Sequence, residues 1–124
     1  MTRFSLTAAV LGAPDARELA AFYERLLGWH REQDEPDWVK LVPPGGGTGL
    51  SFQTEAGYAP PVWPHAAGDQ QMMIHLDIEV DDLPEACAHA EACGAKLADF
   101  QPQRDVRVHL DPAGHPFCLW TNTP

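Results

Sequence analysis

Four residues in the second half of the chain combine types and spacing that could do chemistry: His75, Asp77, Cys118 and Trp120. His75 and Asp77 lie two apart in the run MMIHLDIEV (72–80), where Leu76, Ile78 and Val80 alternate with His75, Asp77 and Glu79. That period of two marks a strand with one face on a core, so His75 and Asp77 share the other face. An imidazole there can orient a ligand as a hydrogen-bond donor, or act as a general base whose charge the neighbouring carboxylate influences. The simpler role is a hydrogen-bonded pocket residue, since no triad partner stands beside it in the sequence. Cys118 and Trp120 fall on one side of a second β-like run, with Phe117 and Leu119 on the other. A cysteine in a mostly apolar strand is usually a small packing residue, and nothing around this one favours its thiolate. Trp120 offers a flat surface on which a planar ligand can stack.

Other chemistry-bearing residues are weaker candidates. Trp63 is stiffened by the prolines of PPVWP (60–64) and covers either a cavity mouth or a subunit contact. Cys87, His89 and Cys93 fall within one helical segment, and the spacing from 87 to 93 does not converge on one point of a helix face. His115 belongs to a turn. Gly45-Gly46-Gly47 reads as a flexible β-turn and not a phosphate cradle, because no helix start with Lys-Ser or Lys-Thr follows it.

The elements that must position these residues are written twice. Residues 4–12 read as a strand that stops at a turn. Asp15 then caps a helix, with Glu18 three residues on, Leu19, Phe22 and Leu26 at helical spacing, and Gly28 at the left-handed end. The second strand, 72–80, is followed by Asp82, Glu85, a helix through Ala86, Ala90 and Cys93, and Gly94. Asp15 to Asp82 is an offset of 67 and Gly28 to Gly94 one of 66, so the halves keep register. Three short strands follow each helix, near 29–33, 38–42 and 49–54, then near 96–100, 104–110 and 116–121. Module 1 thus spans about 4–54 and module 2 about 72–122, joined by a Pro- and Gly-rich connecting loop at 55–71 within a single domain of 124 residues. Each half is expected to form a four-stranded sheet with a helix across one face. The two uncovered faces, set side by side, would line a cup into which His75 and Asp77 point.

Composition narrows the partners. With 44% apolar and 21% charged residues the chain is an ordinary globular one. A net charge of −10, from 18 acidic against 8 basic side chains, opposes binding to phosphate backbones, so nucleic acid is not an expected partner. The same charge suits a cationic small molecule, or simply solubility. No run reaches membrane-spanning length, the opening apolar stretch breaks at Gly12 and Pro14, and three cysteines form no disulfide framework. A cytoplasmic protein is expected.

The pieces Pro14-Asp15, Ala21-Phe22-Tyr23, Leu26-Leu27-Gly28-Trp29, the run from His75 to Leu83, and Asp111-Pro112-Ala113-Gly114-His115-Pro116-Phe117 occur in order across residues 5–121. In this arrangement the chain resembles the vicinal oxygen chelate superfamily, which includes glyoxalases, bleomycin-resistance proteins and extradiol dioxygenases, and within it the small glyoxalase-like domain proteins. The resemblance implies an α+β fold of two βαβββ modules forming a cupped eight-stranded mixed sheet, one helix per module on the outer face, and a homodimer. In metal-dependent members, the first and last strands of each half supply one ligand each, typically His or Glu. Carried onto this sequence, those slots are Ala8, Ser51 (or Gln53, one pleat along), His75 and Cys118. Alanine coordinates nothing, and neutral Ser or Gln is a weak ligand for a catalytic divalent ion. The resemblance therefore implies a protein that binds a small organic molecule through His75, Asp77, Cys118, Trp120, Ser51, Gln53 and Trp63, with no cofactor expected. The alternative is a lyase, isomerase or dioxygenase of the glyoxalase type holding Zn, Ni, Fe or Mn by an atypical ligand set.

Overall fold

An aspartate that frees its side chain to cap a helix, and a glycine that turns the chain left-handed at its end, bracket both helices. In this computed structural model, Asp15 accepts hydrogen bonds from the amides of Arg17 and Glu18, opening α1 (Ala16–Leu27), and Asp82 accepts from Glu85, opening α2 (Leu83–Cys93). Gly28 and Gly94 close them at φ of 71° and 119°, a region that side chains with a Cβ avoid. The structure describes residues 1–122; positions 123 and 124, the end of the domain span expected from the sequence, lie outside the described residues.

The chain divides into two compact units, 1–58 and 59–124. In the first, β1 (Ala8–Ala13), β2 (His30–Glu35), β3 (Trp38–Val42) and β4 (Gly49–Thr54) form a sheet of order β1-β4-β3-β2. β1 runs parallel to β4 and the other pairs are antiparallel. Register aligns Leu11, Phe52 and Val39 in one row on the face that α1 covers. There they meet Leu19, Ala20, Phe22 and Tyr23, all fully buried. Tyr23 stacks on Phe52 at 5.5 Å and meets Phe22 edge-on at 4.8 Å. Each large side chain so buried contributes about 1.5–3 kcal/mol. Thr54 accepts from the Ala16 amide at 3.0 Å, tying the helix start to the end of β4. Arg31 bridges Glu24 of α1 and Asp34 of β2, and Arg17 reaches the same Asp34 at 2.9 Å.

The second unit repeats the plan with β5 (Leu76–Glu79), β6 (Lys96–Leu97), β7 (Val106–Leu110) and β8 (Pro116–Trp120), ordered β5-β8-β7-β6 with β5 parallel to β8. Phe117, Leu119, Ala90, Ala95 and Ala98 are buried, and His109 stacks on Phe117 at 5.6 Å with Nε2 3.4 Å from Glu91. The 111–115 turn is organised by Asp111, whose carboxylate accepts from the amides of Ala113 and His115 and contacts the His115 ring at 2.9 Å. That accounts for His115 as a turn residue.

Several strands are shorter than the sequence pattern implies, β7 starting at Val106 and not 104, and β8 ending at Trp120 and not 121. β5 begins at Leu76, not at 72, because its partner ladder runs out at Pro116, whose nitrogen has no proton to give. β6 stops at Leu97, not at 100, because the Gln101 side chain takes over the edge of β7, bonding both the amide and the carbonyl of Val108 at 2.9 Å. β1 likewise begins at Ala8, where its partner β4 begins at Gly49.

A candidate ligand pocket in the second unit

The alternation that buries Phe117 and Leu119 under α2 turns Cys118 and Trp120 to the uncovered face of the same sheet. Register then decides which side chains meet. Asp77 pairs with Cys118 and Glu79 with Trp120 across the parallel ladder, while Val108 and Val106 oppose Cys118 and Trp120 from β7. His75 sits one residue before β5, and its Nε2 lies 3.3 Å from Asp77 Oδ1. The donor atoms of His75, Asp77 and Cys118 all fall within 4.8 Å of one another.

These residues and Trp120 line a pocket of about 390 Å³, completed by Asp105 and Gln103 from the β6–β7 loop and by Asn122 beyond β8. Its rim is tied down. The Thr121 amide donates to the Asp105 carbonyl at 3.2 Å, the Val80 amide to the Trp120 carbonyl at 2.8 Å, and Asn122 to Glu79 at 2.9 Å. His75 and Asp77 remain open to solvent and Cys118 is half-buried. Burial, then the charge of Asp77 and its hydrogen bond, push the Cys118 thiol up to about 11, so it is a neutral thiol at physiological pH.

The residues expected to line one site do not all lie in this pocket. Ser51 and Gln53 belong to the first unit, where Val10 pairs with Ser51 as Asp77 pairs with Cys118 in the second. Ser51 is buried, and its hydroxyl has no hydrogen-bond partner among the described residues. Gln53 donates to Glu55. Trp63 packs its ring against Phe100, 5.6 Å away within the second unit. Conversely, Gln103, Asp105 and Asn122 escaped sequence reasoning. Gln103 and Asn122 lie in irregular segments, and Asp105, expected within a strand near 104–110, stands just before β7; Val106, the ladder partner of Trp120, was recoverable from strand register. A groove of about 800 Å³ also runs beside the start of α2, among Glu79, Asp81, Asp82, Glu85 and His89, with no Phe, Tyr or Trp among its described lining residues.

The profile of the glyoxalase-like domain matches residues 8–120. This chain belongs to the glyoxalase-like domain family. Solved structures agree on the fold. A glyoxalase/bleomycin resistance protein/dioxygenase family enzyme from Burkholderia phytofirmans superposes with a TM-score of 0.72 at 18% identity, covering 95% of this chain and 98% of that one. An antibiotic binding protein from a Streptomyces species gives 0.65 at 19% identity, covering 98% of each. A lactoylglutathione lyase from Agrobacterium tumefaciens gives 0.63 at 15% identity, covering 98% of this chain and 96% of that one. No curated protein matches the chain in sequence.

Divalent metals serve many members of this superfamily, so the donor set of this glyoxalase-like domain was tested against that role. The first unit supplies Ala8, which has no donor, and a buried neutral hydroxyl at Ser51. A set drawn from both halves therefore does not fit. The second unit alone brings an imidazole, a carboxylate and a thiol together, each a known zinc ligand, on one side of one sheet.

Proposed function

We propose that this protein binds a small organic molecule in the pocket of its second unit, as a sequestration or resistance type of glyoxalase-like protein without the inherited divalent-metal site. The observation that carries the reading is the contrast between equivalent ladder positions. Ala8, Val10, Ser51 and Gln53 in the first unit stand where the second has His75, Asp77, Cys118 and Trp120. Only the second set offers an aromatic surface, a hydrogen-bonding imidazole and a carboxylate in one recess. A pocket of about 390 Å³ has the capacity typical of drug-sized ligand sites. The likeness to an antibiotic binding protein supports the same reading. The proposal includes one domain over residues 1–124, a homodimer, and a cytoplasmic location. No helix among the described residues is long and apolar enough to cross a membrane.

One observation favours a second reading. The clustered His75, Asp77 and Cys118 could hold an ion by an atypical three-donor set and support lyase, isomerase or dioxygenase chemistry. Against it, the first unit adds no donor suited to a divalent ion, since Ala8 has none and Ser51 offers a neutral hydroxyl. Elemental analysis of dialysed protein for Zn, Ni, Fe and Mn separates the two. Less than about a tenth of an equivalent of metal, together with a melting temperature raised by members of a broad panel of metabolites and antibiotics, is expected of a binding protein. Stoichiometric metal that survives dialysis and is lost in Cys118→Ala would establish the second reading.

A further inference from the structure

We propose that the occupant of this pocket is a planar organic cation, its ring system laid on Trp120 and its positive group held between Asp77 and Asp105. The inference rests on the small-molecule reading above and deepens it by fixing charge and shape. Three features of the lining carry it. Two carboxylates, Asp77 from β5 and Asp105 from the entry to β7, border the recess from different elements, and no Lys or Arg is among the described lining residues. An anionic ligand would face both carboxylates with only the His75 imidazole, 3.3 Å from Asp77, beside them.

The guanidinium groups on either side of Asp105 in the sequence do not offset this. Arg107 pairs with Leu119, which places it on the face toward α2, and its Nη1 donates to the carbonyls of Gln103, Arg104 and Val106. Arg104 stands in the exposed loop between Gln103 and Asp105 and does not line the recess. The third feature is the neutral remainder. Trp120 supplies the aromatic face that attracts a cation most strongly, and Gln103 and Asn122 can accept from ammonium or ring N–H groups. Cys118, holding its proton, adds no competing charge and leaves a soft apolar floor.

The site differs from the acidic surface at large. The chain carries a net charge of −10, so loose attraction of cations is expected anywhere on it. What the pocket adds is a carboxylate pair beside an indole. The acidic groove beside α2 serves as the internal control, because Asp81 lines that groove and not this pocket.

Three flat fused-ring probes of similar size test the idea at pH 8: proflavine, a cation; acridone, neutral; and anthracene-2-carboxylate, an anion. Binding is read by probe fluorescence and confirmed by calorimetry. Proflavine should bind at least about tenfold tighter than either other probe, a difference of ~1.4 kcal/mol. Asp77→Asn and Asp105→Asn should each weaken proflavine about five- to tenfold and leave acridone within about twofold, while Asp81→Asn should change neither. Circular dichroism of each variant guards against misfolding, and unchanged acridone binding shows that the recess persists. Equal affinity for all three probes, or an Asp81→Asn effect as large as that of Asp77→Asn, overturns the assignment of charge. Silence from the three probes while other panel members raise the melting temperature also overturns it, leaving the small-molecule reading intact. Silence from probes and panel alike removes both.

Discussion

The pocket's chemistry is most directly exposed through the reactivity of Cys118. Burial and the adjoining Asp77 raise its thiol from the usual 9.0 to about 11. At pH 8 an ordinary thiol of that kind is ionised about one time in ten, whereas one titrating near 11 is ionised about one time in a thousand. Ionised fraction alone thus slows attack on an aromatic disulfide reagent roughly a hundredfold. The more basic thiolate is also a better nucleophile, by about six- to tenfold over two pH units with a Brønsted slope near 0.4–0.5, so the net expectation is slowing of roughly ten- to fifteenfold. The assay uses Cys87→Ser/Cys93→Ser protein, in which Cys118 alone reports. Its rate should climb about tenfold per pH unit from pH 7 to beyond 10, without levelling near 9. Asp77→Asn removes the charge but not the burial, which is the larger cause, so the climb should begin to bend at lower pH while staying above 9. A rate that levels near pH 9 in the parent, or is indifferent to Asp77→Asn, would refute the arrangement. A metal bound at the site would instead hold the thiolate ready at neutral pH until a chelator removed it. The sign for stability follows from the same linkage. The folded state holds this proton more tightly than the unfolded state, so the contribution is complete below about pH 9 and is lost as the pH rises toward about 11.

Two further outcomes concern the scaffold. Phe52→Ala removes the ring stacked on Tyr23 in a fully buried layer and should cost about 3–5 kcal/mol, read as a lower urea midpoint at unchanged slope; a loss under about 1 kcal/mol would mean that layer is not tightly packed. Asp15→Ala and Asp82→Ala each delete the side-chain acceptor at a helix start and should each cost about 1 kcal/mol in thermal or urea unfolding, with Asn at either position restoring most of it.

The fold was legible because its signals are local and occur twice. Asp15 and Gly28, then Asp82 and Gly94, bracket their helices as the sequence indicates, and the strands at 38–42 and 49–54 have the boundaries their patterning implies. Strand ends were less legible, because they depend on partners. β5 loses four residues where Pro116 ends the ladder, and β6 loses three to a single side chain, Gln101. The pocket was legible only where a strand carries it. Alternation places Asp77, Cys118 and Trp120 on one face, with His75 just before the strand. Gln103 and Asn122 arrive from loops whose course no periodicity encodes, and Asp105 from the residue before β7, which begins two residues later than its pattern implies. Trp63 was ambiguous for the same reason; its contact with Phe100 joins two irregular segments.

The two units also divide the work unequally, and the ladder shows how such a division can arise. In the first unit α1 buries Ala16, Leu19, Ala20, Phe22 and Tyr23, whereas α2 buries Ala90 alone. Hydrophobic stabilisation follows apolar area removed from water, so the aromatic layer of the first unit carries the greater share of packing energy. The polar cluster lies in the half with the thinner layer, on the face opposite its core. Because successive strand residues point to opposite faces, exchanging Ala8, Val10 and Ser51 for the His75, Asp77 and Cys118 types leaves Leu11 and Phe52, or Leu76 and Phe117, facing their own helices. Side chains at these positions are therefore set apart from the layer that each helix covers. A repeated βαβββ plan can shed donors from one half and retain or alter them in the other without changing the backbone.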